Sequence, residues 1–200
     1  MTAHSFKKAV MFAAITLFHV PANHLFSAEP IFHPDAKPEM VLEDGAREGP
    51  AWHPQHGLFF SGHDGITLME LTGNARLFLP NAGSNGLLFD HQGRLLVCQP
   101  LFRRVSRIDV SSGNVEVLTD QYEGQKYNQP NDITVDSKGR IYFSDPRYGD
   151  RESMELKDSS GRKIEGVYRI DLDGSVSRII THEVDRPNGV LVSPDDRFLY

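Results

Sequence analysis

The chain has 200 residues, a formal net charge of −6 and 39% apolar residues, enough for a substantial core in one or two domains. The acidic balance and the lack of any basic run give no electrostatic footprint for a nucleic-acid partner. A single cysteine, Cys98, excludes an internal disulfide framework and a thiolate metal cluster. Its setting in Leu95-Leu96-Val97-Cys98 reads as a buried small hydrophobe rather than a nucleophile.

In chain order, Lys7 and Lys8 precede a mostly apolar run from Ala9 to Val20, which Pro21 closes. The run falls short of the about 20 apolar residues a bilayer span requires. Residues 1–28 therefore read as an export signal cut after Ala28, with a mature chain that starts near Glu29, lacks a membrane span and is secreted or periplasmic. On that reading His4, His19 and His24 leave any functional argument. Met40-Val41-Leu42-Glu43 follows as a strand able to clasp a blade begun elsewhere in a ring.

After residue 40, short apolar runs and period-two alternation, bounded by Gly, Asp, Asn and Pro, predict strands throughout. One phrase is written four times. It opens at Glu48-Gly49-Pro50-Ala51-Trp52, Asn85-Gly86-Leu87-Leu88-Phe89, Asn131-Asp132-Ile133-Thr134-Val135 and Asn188-Gly189-Val190-Leu191-Val192. A polar turn then leads into Leu58-Phe59-Phe60, Leu95-Leu96-Val97, Ile141-Tyr142-Phe143 or Phe198-Leu199-Tyr200. The turn places Gly57, Gly93, Gly139 or Asp196 where a tight hairpin needs positive φ. Trp52, in the alternating first strand, reads as core.

A second phrase interleaves, around Leu68–Gly73, Ser106–Gly113 and Tyr168–Gly174, each followed by another short strand. Two hairpins per unit make a four-stranded antiparallel sheet, and repetition every roughly 40–60 residues predicts an all-β chain of β-propeller blades. About three blades and the first hairpin of a fourth are present, so the chain is expected to be an incomplete portion of a longer ring. The polar segment from Pro146 to Lys163 widens the third unit and predicts a loop over one face, where loops shape entrances.

The residue entering the innermost strand of a blade sits at the mouth of the central channel. Glu48, Asn85, Asn131 and Asn188 are thus expected around one axis, and their oxygens suit a hard divalent cation. Ca²⁺ fits best, Mg²⁺ or Mn²⁺ next, and Zn²⁺ less well because it favours histidine or thiolate. Local capping of the hairpins by these side chains is the alternative. His53, His56 and His91 fall in turns, His33 precedes the first blade, and His63 could face the channel.

These motifs resemble the SMP-30, gluconolactonase and luciferin-regenerating protein family of six-bladed propellers. The likeness rests on Glu48-Gly49-Pro50-Ala51-Trp52, Arg94-Leu95-Leu96-Val97-Cys98, Gln129 to Asp136 with Gly139 to Pro146, and Arg186-Pro187-Asn188-Gly189-Val190. It runs from about Met40 to Tyr200, and Asp145-Pro146-Arg147-Tyr148-Gly149 is similar to bacterial lactonase-type members.

The resemblance implies that Glu48 and Asn188 ligate the hub cation, with Asn131 beside it as a ligand or substrate-orienting amide. Family members add an aspartate from the next blade as base or water-orienting carboxylate, and no residue of this chain fills that place. Gln129 stands where some sugar-lactone members carry a basic residue. With Asn85, Asp145 and Arg147 it makes up the candidate substrate contacts. The implied activity is metal-assisted hydrolysis of a small lactone, such as a sugar acid lactone, with Glu48 and Asn131 catalytic. The rival readings are an organophosphate or aryl-ester hydrolase on the same ring, a strictosidine synthase-like propeller, a non-catalytic ligand-binding propeller and an inactive truncated product.

Overall fold

The computed structural model describes residues 33–40, 42, 43 and 45–200. Residues 40–200 form one compact unit, and the described residues 33–39 belong to a separate one that contains a turn closed by Ala36 N on His33 O at 2.9 Å. The expected export signal, residues 1–28, lies outside the described residues. Among those described there is no helix, and so none long and apolar enough to cross a membrane.

Three four-stranded antiparallel sheets follow one another along the chain. The first contains β1 (Glu48–His53), β2 (Gly57–Ser61), β3 (Gly65–Glu70) and β4 (Ala75–Pro80), paired in chain order. The second contains β5 (Leu87–Phe89), β6 (Leu95–Gln99), β7 (Arg104–Ile108) and β8 (Val115–Thr119) in the same order. A short ribbon of β9 (Gln121–Tyr122) and β10 (Gln125–Lys126) precedes the third sheet, β11 (Ile133–Val135), β12 (Ile141–Asp145), β13 (Gly166–Ile170) and β14 (Val176–Ile180). These are successive blades of a β-propeller. The fourth copy forms a bridge between Val192 and Leu199, with Leu191 and Tyr200 exchanging backbone bonds of 3.0 and 2.8 Å.

The turn residues behave as the sequence predicts. Gly57, Gly93 and Gly139 have φ of 118°, 74° and 86°, and Asp196 takes φ 57° in the fourth copy. Met40, Leu42 and Glu43, expected as a clasp strand with Val41, lie outside any strand, and Val41 is not among the described residues. A strand exists only as one member of a ladder, and the described residues offer these three no partner.

The core lies between neighbouring sheets. Ala51, Phe59, Ile66 and Leu68 of the first blade pack with Leu87, Leu95 and Val97 of the second. Leu96, Val105 and Cys98 of the second pack with Ile133, Phe143 and Tyr168 of the third. Tyr127, Phe143 and Tyr168 form an aromatic nucleus with ring centroids 5.1–5.4 Å apart.

Two expectations need correction here. Trp52 is 59% exposed, because Ala51 takes the inward position of β1 and strand alternation sends its neighbour to the other face. The 146–163 segment is not wholly a surface loop. Leu156 is buried in the nucleus with Tyr127, Phe143 and Tyr168, and Met154 is buried as well, so the polar segment is pinned by two apolar anchors.

Candidate functional site

Three of the four phrase-leading residues are held through their backbone carbonyls by bonds from the preceding blade. Ser61 Oγ, at the end of β2, donates to Asn85 O at 2.7 Å. Gly86 N donates to Asn131 O at 2.7 Å. Ser144 Oγ, in β12, donates to Asn188 O at 2.5 Å. Glu48 opens β1 directly opposite Ser61. Cys98 holds the same place in its blade as Ser61 and Ser144, with Sγ 3.5 Å from Asp132 O. Burial, followed by the charges of Asp132 and Asp145, pushes its thiol well above the ordinary range, so Cys98 stays protonated, as its core setting implies.

The glycine after the leading residue has a spatial cause. A Cβ on Gly49 would stand 2.3 Å from Asn85 O, and one on Gly86 would stand 2.5 Å from Asn131 O. Only a residue without a side chain lets the next blade come this close. The third copy has Asp132 there instead, and its Oδ2 accepts Val190 N of the fourth copy at 2.9 Å.

Glu48 and Asn85 line one cavity of about 430 Å³, together with Arg47, His63, Ser84 and Phe102. Asn85 Oδ1 and Asn131 Oδ1 are both shielded from solvent and lack any hydrogen-bond partner. Leaving such an oxygen unpaired costs about 1–3 kcal/mol. Neither oxygen is used in capping a hairpin, so both stay available to an external donor, a water or a cation, as do the buried Asn128 Oδ1 and Asp145 Oδ1. Asn188 is exposed, donates Nδ2 to Tyr148 Oη at 2.8 Å and lines a separate cavity of about 190 Å³. The structure thus brings Glu48 and Asn85 to one wall, buries Asn131 next along the row and leaves Asn188 beside the inserted segment. One carboxylate with neutral amide oxygens is a hard-cation donor set. Among the described residues no three His, Cys, Asp or Glu side chains gather as a metal-binding group.

The remaining expected contacts are engaged elsewhere. Asp145 is fully buried, and its Oδ2 accepts Asn128 N at 2.8 Å. Burial pushes its pKa up to about 8, against the opposing backbone bonds from Asn128 and Gln129. It cannot touch a substrate from there, because its place opposite Gly166 at the end of β12 turns it into the blade. Arg147 braces its own loop, with Nε on Asp150 O at 2.9 Å and a guanidinium N–H on Ser153 Oγ at 2.8 Å. Gln129 Oε1 accepts Tyr148 N at 2.9 Å.

Sequence reasoning missed three groups. Buried Asn128 ties Asp145 O and Ile164 O through Nδ2, at 3.2 and 2.9 Å. Glu165 receives Arg147 N and an Arg151 N–H at 2.6 and 2.5 Å. Ser61 and Ser144 were findable, since superposing the first and third phrases puts a serine in one place at the end of the second strand, with Cys98 in that place in the second.

Residues 46–200 match the SMP-30/Gluconolactonase/LRE-like region. The chain belongs to this family. Within it, the chain is 33% identical over 118 residues to a gluconolactonase of Zymomonas mobilis subsp. mobilis, which covers 59% of this chain and 33% of that protein. Among solved structures, a gluconolactonase from Xanthomonas campestris superposes with a TM-score of 0.66 at 32% identity, over 79% of this chain and 54% of that one. An X-ray structure assigned to the gluconolactonases gives a TM-score of 0.72 at 27% identity, over 82% of this chain and 59% of its own. The chain thus matches a third of the curated relative's length and little more than half of either solved chain.

Proposed function

We propose that the protein hydrolyses a small lactone, a sugar acid lactone first, using a divalent cation held at the blade ends by Glu48, Asn131 and Asn188. The observation that carries this reading is the pair of buried, unpartnered amide oxygens on Asn85 and Asn131, in the row that begins at the Glu48 cavity. Family membership and the two relatives named gluconolactonases support the choice of a sugar acid lactone.

Hydrolysis adds water across the ring ester: the acyl carbon gains a hydroxyl, its bond to the ring oxygen breaks, and that oxygen leaves with a proton as an alcohol. A bound Ca²⁺, or Mg²⁺, Mn²⁺ or Zn²⁺ in its place, would polarise the lactone carbonyl and stabilise the charge developing on its oxygen. Among the described residues Glu48 is the only carboxylate lining its cavity, so it supplies formal negative charge on that wall and an acceptor that orients water. Asn131 holds a reacting oxygen or its ligand, and Asn85 meets the substrate from the cavity side. Release of the mature chain to the periplasm or medium belongs to the same reading, supported by Lys7, Lys8 and the apolar run that follows.

The test pairs calorimetric Ca²⁺ titration with a panel of sugar acid, aliphatic and aromatic lactones followed by acid release. Glu48→Gln is expected to weaken Ca²⁺ binding by more than about 10-fold, since charge count sets affinity at oxygen sites. Unchanged affinity in that variant, or hydrolysis indifferent to chelator, would sink the proposal.

A further inference from the structure

The inserted segment touches the row of leading residues through one side chain. Tyr148 Oη accepts a hydrogen bond from Asn188 Nδ2 at 2.8 Å, and Tyr148 N donates to Gln129 Oε1 at 2.9 Å. Gln129 stands two residues before Asn131, so Tyr148 spans the third and fourth leading positions. Its neighbour Arg147 is held through its backbone N by buried Glu165 at 2.6 Å. Leu156 anchors the far side of the segment in the aromatic nucleus. The phenol therefore hangs from a fixed platform although the residue is exposed.

We infer that Tyr148 is a positioning residue that fixes the Asn188 amide so that Oδ1, and not Nδ2, is offered to a ligand at the blade ends. An exposed asparagine amide can turn over with little cost, and its two ends carry opposite partial charges. A cation needs the oxygen. Committing Nδ2 to Tyr148 leaves Oδ1 on the side away from the phenol, whereas a phenol donating to Oδ1 would consume the useful atom. The nature of the ligand rests on the proposed function, and the orientation rests on the hydrogen bonds alone.

The test uses the whole chain labelled with ¹⁵N, with the Asn188 side-chain amide assigned by its loss in Asn188→Ala. Tyr148→Phe keeps the ring and removes the acceptor. The Asn188 amide resonances are expected to move to the positions of a free, exposed amide, with the melting temperature unchanged. Calorimetric titration with Ca²⁺ supplies the second readout. Tyr148→Phe should weaken binding about 3- to 10-fold, the worth of one oriented hydrogen bond. In an Asn188→Asp background, where both terminal atoms are oxygens, the same change should not weaken it. Unmoved amide resonances, or an equal loss of affinity in the Asn188→Asp background, overturn the inference. Moved resonances in a parent chain that binds no Ca²⁺ uphold the positioning role and sink the cation of the proposed function instead.

Discussion

Asp145 carries its carboxyl where no water reaches, and burial favours its protonated form up to about pH 8. An unfolded aspartate titrates near its ordinary value of about 3.9, so between roughly pH 4 and 8 the folded chain holds a proton that the unfolded chain has lost. Stability then falls as pH rises through this window, by up to about 1.4 kcal/mol per pH unit. Asp158 acts in the opposite sense. Hydrogen bonds from Ser160 and His182 hold its carboxyl below the usual range, so its contribution is present at neutral pH and disappears only toward the acid end. Asp145→Asn is expected to flatten the decline between pH 5 and 8 in urea unfolding, and an unaltered slope would show that burial of this carboxyl is not its source. The inward turn of Asp145 could not be read from the sequence. β12 is buried at all five positions, so it has no alternation to mark which side chains face a pocket. Asn85 and Asn131 were legible because they recur in phase at the head of a phrase, which a randomly placed polar residue does not do.

At the scale of elements, the hairpin turns were read correctly because positive φ at a tight turn calls for one residue type. The glycines one place after the leading residue were harder, since a close approach and a turn ask for the same residue and only the neighbouring blade tells them apart. Gly86 makes the distinction testable. It lacks the positive φ of Gly49, so Gly86→Ala acts through contact alone, with the new methyl 2.5 Å from Asn131 O and 2.8 Å from Asp132 Cα. We expect a loss of about 1–3 kcal/mol by overpacking against backbone that cannot retreat. Gly189, which also lacks a positive φ and whose Cβ would meet only Asp132 Oδ2 at 3.8 Å, serves as the control in the same denaturant series. A Gly86→Ala loss no larger than that of Gly189→Ala would remove the close-approach account. The burial of Leu156 escaped notice because a lone leucine among charges carries no period, and its partners are supplied by the fold.

At the scale of the whole molecule, Glu48 and Asn188 lie 140 residues apart and head the first and fourth copies of one phrase. A ligand shared by such residues binds the folded chain and has little to bind in the unfolded one. Ca²⁺ at 100 times its dissociation constant should therefore add about 2.7 kcal/mol of stability and raise the melting temperature by about 5–10 °C, an effect that Glu48→Gln should largely abolish. A melting temperature indifferent to both Ca²⁺ and chelator would count against a cation shared between blades.

The fastenings onto the leading carbonyls also have a direction. Ser61 holds Asn85, Gly86 holds Asn131 and Ser144 holds Asn188, so in these three pairs the donor precedes the acceptor in the chain, while Val190 N on Asp132 Oδ2 runs the other way. A polypeptide leaving the ribosome amino end first, at about 5–20 residues per second, would present each donor before the carbonyl it captures. Each of these three carbonyls would thus meet a donor that has already been made.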